Sequence, residues 1–125
     1  PFDFRESTKI GSRINADYPQ LVLGNGYDHN YVLNQVSNPQ IAVTDPTSGR
    51  MLEIYTTMPG VQFYTGNFLD GNEKGRNGVI GFRSGLCLET QFYPDSPNKP
   101  EFPSPILRQG EKYIEKTVYR FTVVS

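Results

Sequence analysis

Glu89 stands in the middle of the run "LCLETQFYPD", residues 86–95, which otherwise reads as a β-strand. Strand alternation puts Leu86, Leu88, Thr90 and Phe92 on one face. It puts Cys87, Glu89, Gln91 and Tyr93 on the other. A carboxylate on a strand this apolar either faces water or sits in a cleft with a task, because buried carboxylates are unusual unless paired. Other chemistries find no residues to carry them. Zinc needs several His or Cys ligands, and the sequence has one of each, His29 and Cys87. "DGNEKG" at 70–75 lacks the acidic spacing and terminal Glu of a calcium loop. "GNGYD" at 24–28 is not G-x-G-x-x-G, and no Lys-Ser/Thr pair follows a glycine. "SGLCL" at 84–88 has the wrong order for a nucleophilic serine elbow. What remains is Glu89 with Gln62, Asp28 and His29. Each has an ordinary role open to it: a solvated or salt-bridged strand residue for Glu89 and Gln62, a cap or turn for Asp28, a turn or core position for His29.

The elements that must hold these side chains are short. The chain carries 12 glycines and 10 prolines, with eight Phe, eight Tyr and no Trp. Frequent breaks between aromatic and β-branched runs indicate an all-β chain. Residues 1–20 are polar and irregular. "QLVLGNGYDHNYVL" gives a short apolar run, a Gly-Asn-Gly break and a second run at 31–33. Residues 40–45 and 50–57 read as strands of a hairpin around "DPTSGR", where Asp45 starts the turn, Pro46 fixes φ and Gly49 takes a positive φ. A strand at 61–65 places Val61 and Phe63 on one face and Gln62 and Tyr64 on the other. "DGNEKGRNG" at 70–78 reads as a flexible loop. Five prolines in 93–105 make that stretch an extended surface loop pinned by Phe102. Residues 112–124 alternate, with Thr117, Tyr119, Phe121 and Val123 on one side. No helix is expected, and no repeat or linker divides the chain, so residues 1–125 read as a single all-β unit. Six or more short strands suggest an antiparallel sandwich or barrel.

A net charge of −1 gives no electrostatic case for nucleic acid or an acidic membrane surface. No window of about 18 apolar residues could span a bilayer. "PFDFRESTKIG" has no apolar core and is not a signal peptide. One cysteine excludes an internal disulfide and suggests a reducing, cytoplasmic setting. A start at Pro1 suggests a piece of something longer.

Longer stretches narrow the reading. "GYDHNYVL" at 26–33, "SGRMLEIYTTMPGVQFYTGNFLDG" at 48–71, "GLCLETQFYPDSPNKPEFPSPIL" at 85–107 and "GEKYIEKTVYRF" at 110–121 resemble the carboxy-terminal half of galactose mutarotases (aldose 1-epimerases). The resemblance runs from about residue 10 to the end. It implies part of a large antiparallel β-sandwich, the supersandwich of that family. It also implies an enzyme that opens and recloses the pyranose ring of hexoses such as galactose and glucose, interconverting their α and β anomers without cofactor or metal. By the same resemblance Glu89, in "LETQ", is the catalytic base. Asp28, in "DHN", and Gln62, in "PGVQFY", bind the sugar, and Tyr27 or Phe63 are candidates to pack on its apolar face. A carboxylate suits the role, since it can take the proton from the anomeric hydroxyl while an acid protonates the ring oxygen. Partial desolvation strengthens a carboxylate as a base. The family's acid is a histidine, helped by a second histidine and an arginine, all in the amino-terminal half. His29 matches "DHN" and not the acid. The expected partner is therefore that missing half, and two readings stay open. The chain is the base-bearing half of an aldose 1-epimerase, or it is a non-catalytic sugar-binding or protein-pairing β-module.

Overall fold

A computed structural model describes residues 1–124 of the chain. Among them are eight strands: β1 (Asp28–Val32), β2 (Ile41–Thr44), β3 (Arg50–Thr56), β4 (Gly60–Tyr64), β5 (Glu73–Gly75), β6 (Gly78–Ile80), β7 (Cys87–Gln91) and β8 (Thr117–Val123). They form sheets ordered β1-β4-β7, β2-β3-β8 and β5-β6. The residues fall into two compact units interleaved along the sequence. The first comprises 1–29 and 62–89, the second 30–61 and the described residues from 90 onward.

In the second unit the expected hairpin is present. β2 and β3 pair antiparallel from Ile41↔Ile54 to Thr44↔Met51. The turn works as its residues suggest. The Asp45 carboxylate accepts from the Thr47 and Ser48 amides, and Gly49 has φ +69°. Gly49 is also required sterically, because a Cβ there would lie 2.4 Å from the Val124 carbonyl oxygen. β8 pairs antiparallel with β3, setting Tyr119 opposite Ile54 and Phe121 opposite Leu52. Glu53 and Arg120, also opposite, form an ion pair at 3.3 Å. Ile54 is fully buried, yet Phe121 and Val123 are 76% and 74% exposed. The proline-rich stretch is pinned as expected, with Phe102 edge-on to Tyr93 at 5.3 Å.

The first unit departs from expectation in three places. The apolar run before Asp28 is a short helix, α1 (Pro19–Gly24). Pro19 suits the first helical turn, and Asn25 at φ 51° closes the other end by donating to the Leu21 and Val22 carbonyls. The stretch at 70–78 is not a loop throughout, because β5 and β6 pair there with Gly75 opposite Gly78. Arg76 and Asn77 make the connection, and Gly78, which opens β6, takes a positive φ of +125° that favours glycine. Finally, Phe2 and Phe4, within the stretch read as polar and irregular, are half-buried and pack against the core. Phe2 lies edge-on to Tyr27 at 5.8 Å, and Phe4 packs on Tyr27 and Phe63 at 5.2 and 5.9 Å.

Candidate functional site

Asp28, His29, Gln62 and Glu89 all lie in the first unit. Asp28 opens β1, and the backbone before it is fixed by a buried polar network. Tyr27 donates its N–H to the Thr65 hydroxyl at 3.1 Å, and the Thr65 N–H donates to the Tyr27 carbonyl at 3.0 Å. The Thr65 hydroxyl donates to Asn67 Oδ1 at 2.7 Å. Asn67 Nδ2 donates to the carbonyls of Gly24 and Tyr27 at 2.9 and 2.8 Å. Thr65 and Asn67 are both buried. Gly26, at φ +133°, lets Asn67 approach, since a Cβ there would lie 2.3 Å from Asn67 Oδ1. Asn67→Ala leaves these carbonyls short of a donor. It should lower stability by about 1–3 kcal/mol, the cost of unsatisfied buried polar groups, read from the denaturation midpoint of the folded protein.

Beyond this network the carboxylate of Asp28 is half-buried, and its Oδ1 accepts from Gln62 Nε2 at 2.7 Å. The structure therefore brings together two of the three residues singled out for the sugar. A carboxylate held by an amide keeps acceptor capacity on its remaining lone pairs, the equipment needed to receive hydroxyl donors. Tyr27 and Phe63 are not available to a sugar face. Both are buried and stack on each other at 5.4 Å in the core. Alternation along β4 sends Phe63 to the face opposite Gln62, and the same alternation along β1 separates Tyr27 from Asp28. His29 is half-buried with its ring edge-on to Phe2 at 4.7 Å.

Glu89 is exposed on β7, two residues from Cys87, which is also exposed. Partial desolvation pushes the Cys87 thiol above its ordinary pKa, and the Glu89 carboxylate raises it further by hydrogen bonding and charge. Asp28 adds a smaller push of the same sign. The thiol thus reports a local negative field to which Glu89 and Asp28 both contribute, which places it near both carboxylates. Sequence reasoning singled out Glu89 and passed over Cys87, although the i, i+2 spacing in "CLE" already put the two on one face. The field makes a prediction. Glu89→Gln removes one charge, so the Cys87 pKa falls and alkylation by iodoacetamide at fixed pH becomes faster. An unchanged rate would mean the carboxylate does not act on the thiol.

A shallow concavity lined by Ile10, Ile14, Arg83 and Leu86 contains none of these four residues. Among the described residues no group of three His, Cys, Asp or Glu side chains could hold a metal ion. No described helix is long and apolar enough to cross a membrane.

Comparison with known proteins places the chain in a family. A family model described as aldose 1-epimerase matches residues 1–120. Galactose mutarotase from Mus musculus is 48% identical over 125 residues, which is 98% of this chain and 35% of the relative. The human galactose mutarotase is 46% identical with the same coverage. Aldose 1-epimerase from Escherichia coli (strain K12) is 40% identical, over 96% of this chain and 36% of the relative. The chain thus spans about a third of the length of the curated relatives it matches. The crystal structure of a GalM/aldose epimerase homologue from C. elegans superposes on 78% of the chain, at 30% identity and a TM-score of 0.71, covering 30% of that protein. The strands described above are accordingly all-β structure of the antiparallel β-sandwich class found in galactose mutarotases. With the family model matched across nearly the whole sequence, and relatives from bacteria to mammals aligned over it, the chain belongs to the aldose 1-epimerase family.

Proposed function

We propose that this chain supplies the base and part of the sugar site of an aldose 1-epimerase acting on hexoses such as galactose and glucose. The observation that carries this reading is the Gln62–Asp28 hydrogen bond of 2.7 Å in the unit that also holds Glu89. In the proposed reaction Glu89 takes the proton of the anomeric hydroxyl. The electron pair of that O–H bond forms the C1 carbonyl, the bond from C1 to the ring oxygen breaks, and an acid protonates the ring oxygen. Rotation about C1–C2 presents the other carbonyl face. Ring closure then returns the proton with the roles of acid and base reversed. Asp28 and Gln62 hold sugar hydroxyls by accepting and donating hydrogen bonds, which fixes the ring against Glu89.

The acid comes from outside residues 1–125, in the amino-terminal part of the complete enzyme. We place residues 1–125 as one carboxy-terminal portion of a single aldose 1-epimerase domain. Two facts support this: the family match runs unbroken to residue 120, and neither compact unit is a continuous stretch of sequence. A reducing cytoplasm suits the single, free Cys87.

The second reading, a sugar-binding or protein-pairing module without catalysis, is favoured by one observation. The only histidine, His29, is packed on Phe2 with one ring nitrogen already bonded. The two readings part in one experiment. The complete enzyme should speed the change in optical rotation of freshly dissolved α-D-galactose above the spontaneous rate, and no acceleration would leave the non-catalytic module. If the chain binds sugar, with or without catalysis, Asp28→Ala and Gln62→Ala should each weaken galactose binding by about 1–3 kcal/mol, the cost of leaving a polar partner unsatisfied. Titration calorimetry on folded variants measures this. Unchanged affinity would remove the residue concerned from the site.

A further inference from the structure

β1 is an edge strand of the β1-β4-β7 sheet. Tyr27, just before it, directs both its N–H and its C=O toward Thr65, which follows β4. Along a strand in an antiparallel ladder, successive residues present their backbone groups to opposite sides. The N–H of Asp28 therefore points away from β4, to the open edge. An edge donor needs a partner or water. Here the partner is the side chain of the next residue: Asp28 N–H donates to His29 Nδ1 at 2.9 Å. A nitrogen that accepts in this way carries no proton, so the ring hydrogen resides on Nε2. The imidazole sits in a slot. Phe2 stands edge-on to it at 4.7 Å and 71°. On another side Gly24 is close enough that a Cβ there would lie 3.5 Å from His29 Cε1. Asp28 is thus held twice, by His29 at its backbone and by Gln62 at its carboxylate.

We propose that His29 is a positioning residue, whose Nδ1 caps the open-edge N–H of Asp28 and so fixes the carboxylate that receives the sugar. The ring touches neither sugar nor reacting atoms. The inference rests on the sugar-site reading of Asp28, and its test separates the two. In the complete enzyme, His29→Phe keeps a ring in the slot and removes the acceptor. His29→Asn returns an acceptor at nearly the position of Nδ1. The Phe variant should raise KM for galactose about tenfold, the scale of one lost hydrogen bond, with kcat changed little. The Asn variant should recover most of the affinity. A residue that only filled the slot would behave the opposite way, tolerating Phe and suffering with Asn. Independently of activity, 15N-labelled protein should show a scalar coupling between the Asp28 amide nitrogen and His29 Nδ1, and its absence would overturn the cap even if the Phe variant failed to fold. A folded Phe variant with normal KM, while Asp28→Ala still weakens galactose binding, overturns the role of His29 and leaves the sugar site standing. If Asp28→Ala also leaves galactose binding unchanged, the reading of the site itself fails.

Discussion

Glu89→Gln is expected to lower kcat for galactose anomerisation in the complete enzyme by about 10²–10⁴-fold, the usual contribution of a positioned general base. The substitution is nearly isosteric, so sugar contacts that depend on shape survive it. An amide, however, has no basic lone pair with which to take the proton of the anomeric hydroxyl. The fold should not register the change. Glu89 is exposed on β7, and exposed substitutions away from a core, cap or buried network usually stay within about 0.5 kcal/mol. Loss of kcat without loss of stability separates a catalytic carboxylate from a structural one. Polarimetry on the variant gives the rate, and its thermal midpoint gives the control. Near-normal anomerisation by a well-folded variant would remove Glu89 from the mechanism, whatever the family resemblance implies. The faster alkylation of Cys87 expected in the same variant then shows whether the charge was lost as intended.

The parts of this structure that could be read from the sequence are those set by local rules. Asp45, Pro46 and Gly49 specify their own turn, and β2 and β3 follow on either side of it. Alternation along β4 and β7 puts Gln62 and Glu89 on definite faces. Other parts depend on partners distant in sequence. Phe2 and Phe4 look like residues of an irregular segment until Tyr27 and Phe63 come together beneath them. Tyr27, like Phe63, is a candidate platform for a sugar by sequence, but an aromatic beside a binding residue in sequence lies on the other side of the strand, and both are core. "QLVL" is too short to show a helical period, so Pro19 and Asn25 define α1 rather than any apolar stripe. For the site, chain position could place Asp28 and Gln62 on strands but not in contact, since 34 residues separate them. The role of Asn67 is likewise hidden in the sequence, because it depends on two carbonyls 43 and 40 positions away.

The isolated 125-residue chain is expected to show no acceleration of galactose anomerisation above the spontaneous rate. Ring opening needs a proton delivered to the ring oxygen as Glu89 removes one from the hydroxyl. General acid–base catalysis requires both groups within hydrogen-bond reach of the substrate. In the proposed mechanism the acid comes from outside residues 1–125, and His29 holds the Asp28 amide through one nitrogen while its ring rests on Phe2. The exposed surface of the chain adds a second expectation. β8 closes one side of its sheet with Phe121 and Val123 largely in solvent and Tyr119 about half so. Apolar side chains beside an unpaired strand edge recruit other chains. The purified chain should therefore self-associate, which sedimentation velocity across a concentration series will show. It should bind the amino-terminal part of the enzyme when that is supplied as a separate polypeptide. If the two dock, activity should return and should again disappear with Glu89→Gln. The decisive measurement is polarimetry on chain shown to be monomeric by sedimentation. Robust, Glu89-dependent anomerisation by that monomer would mean that the acid is already present in these residues, with His29 or Tyr93 the side chains to test, and the division of labour proposed here would fall.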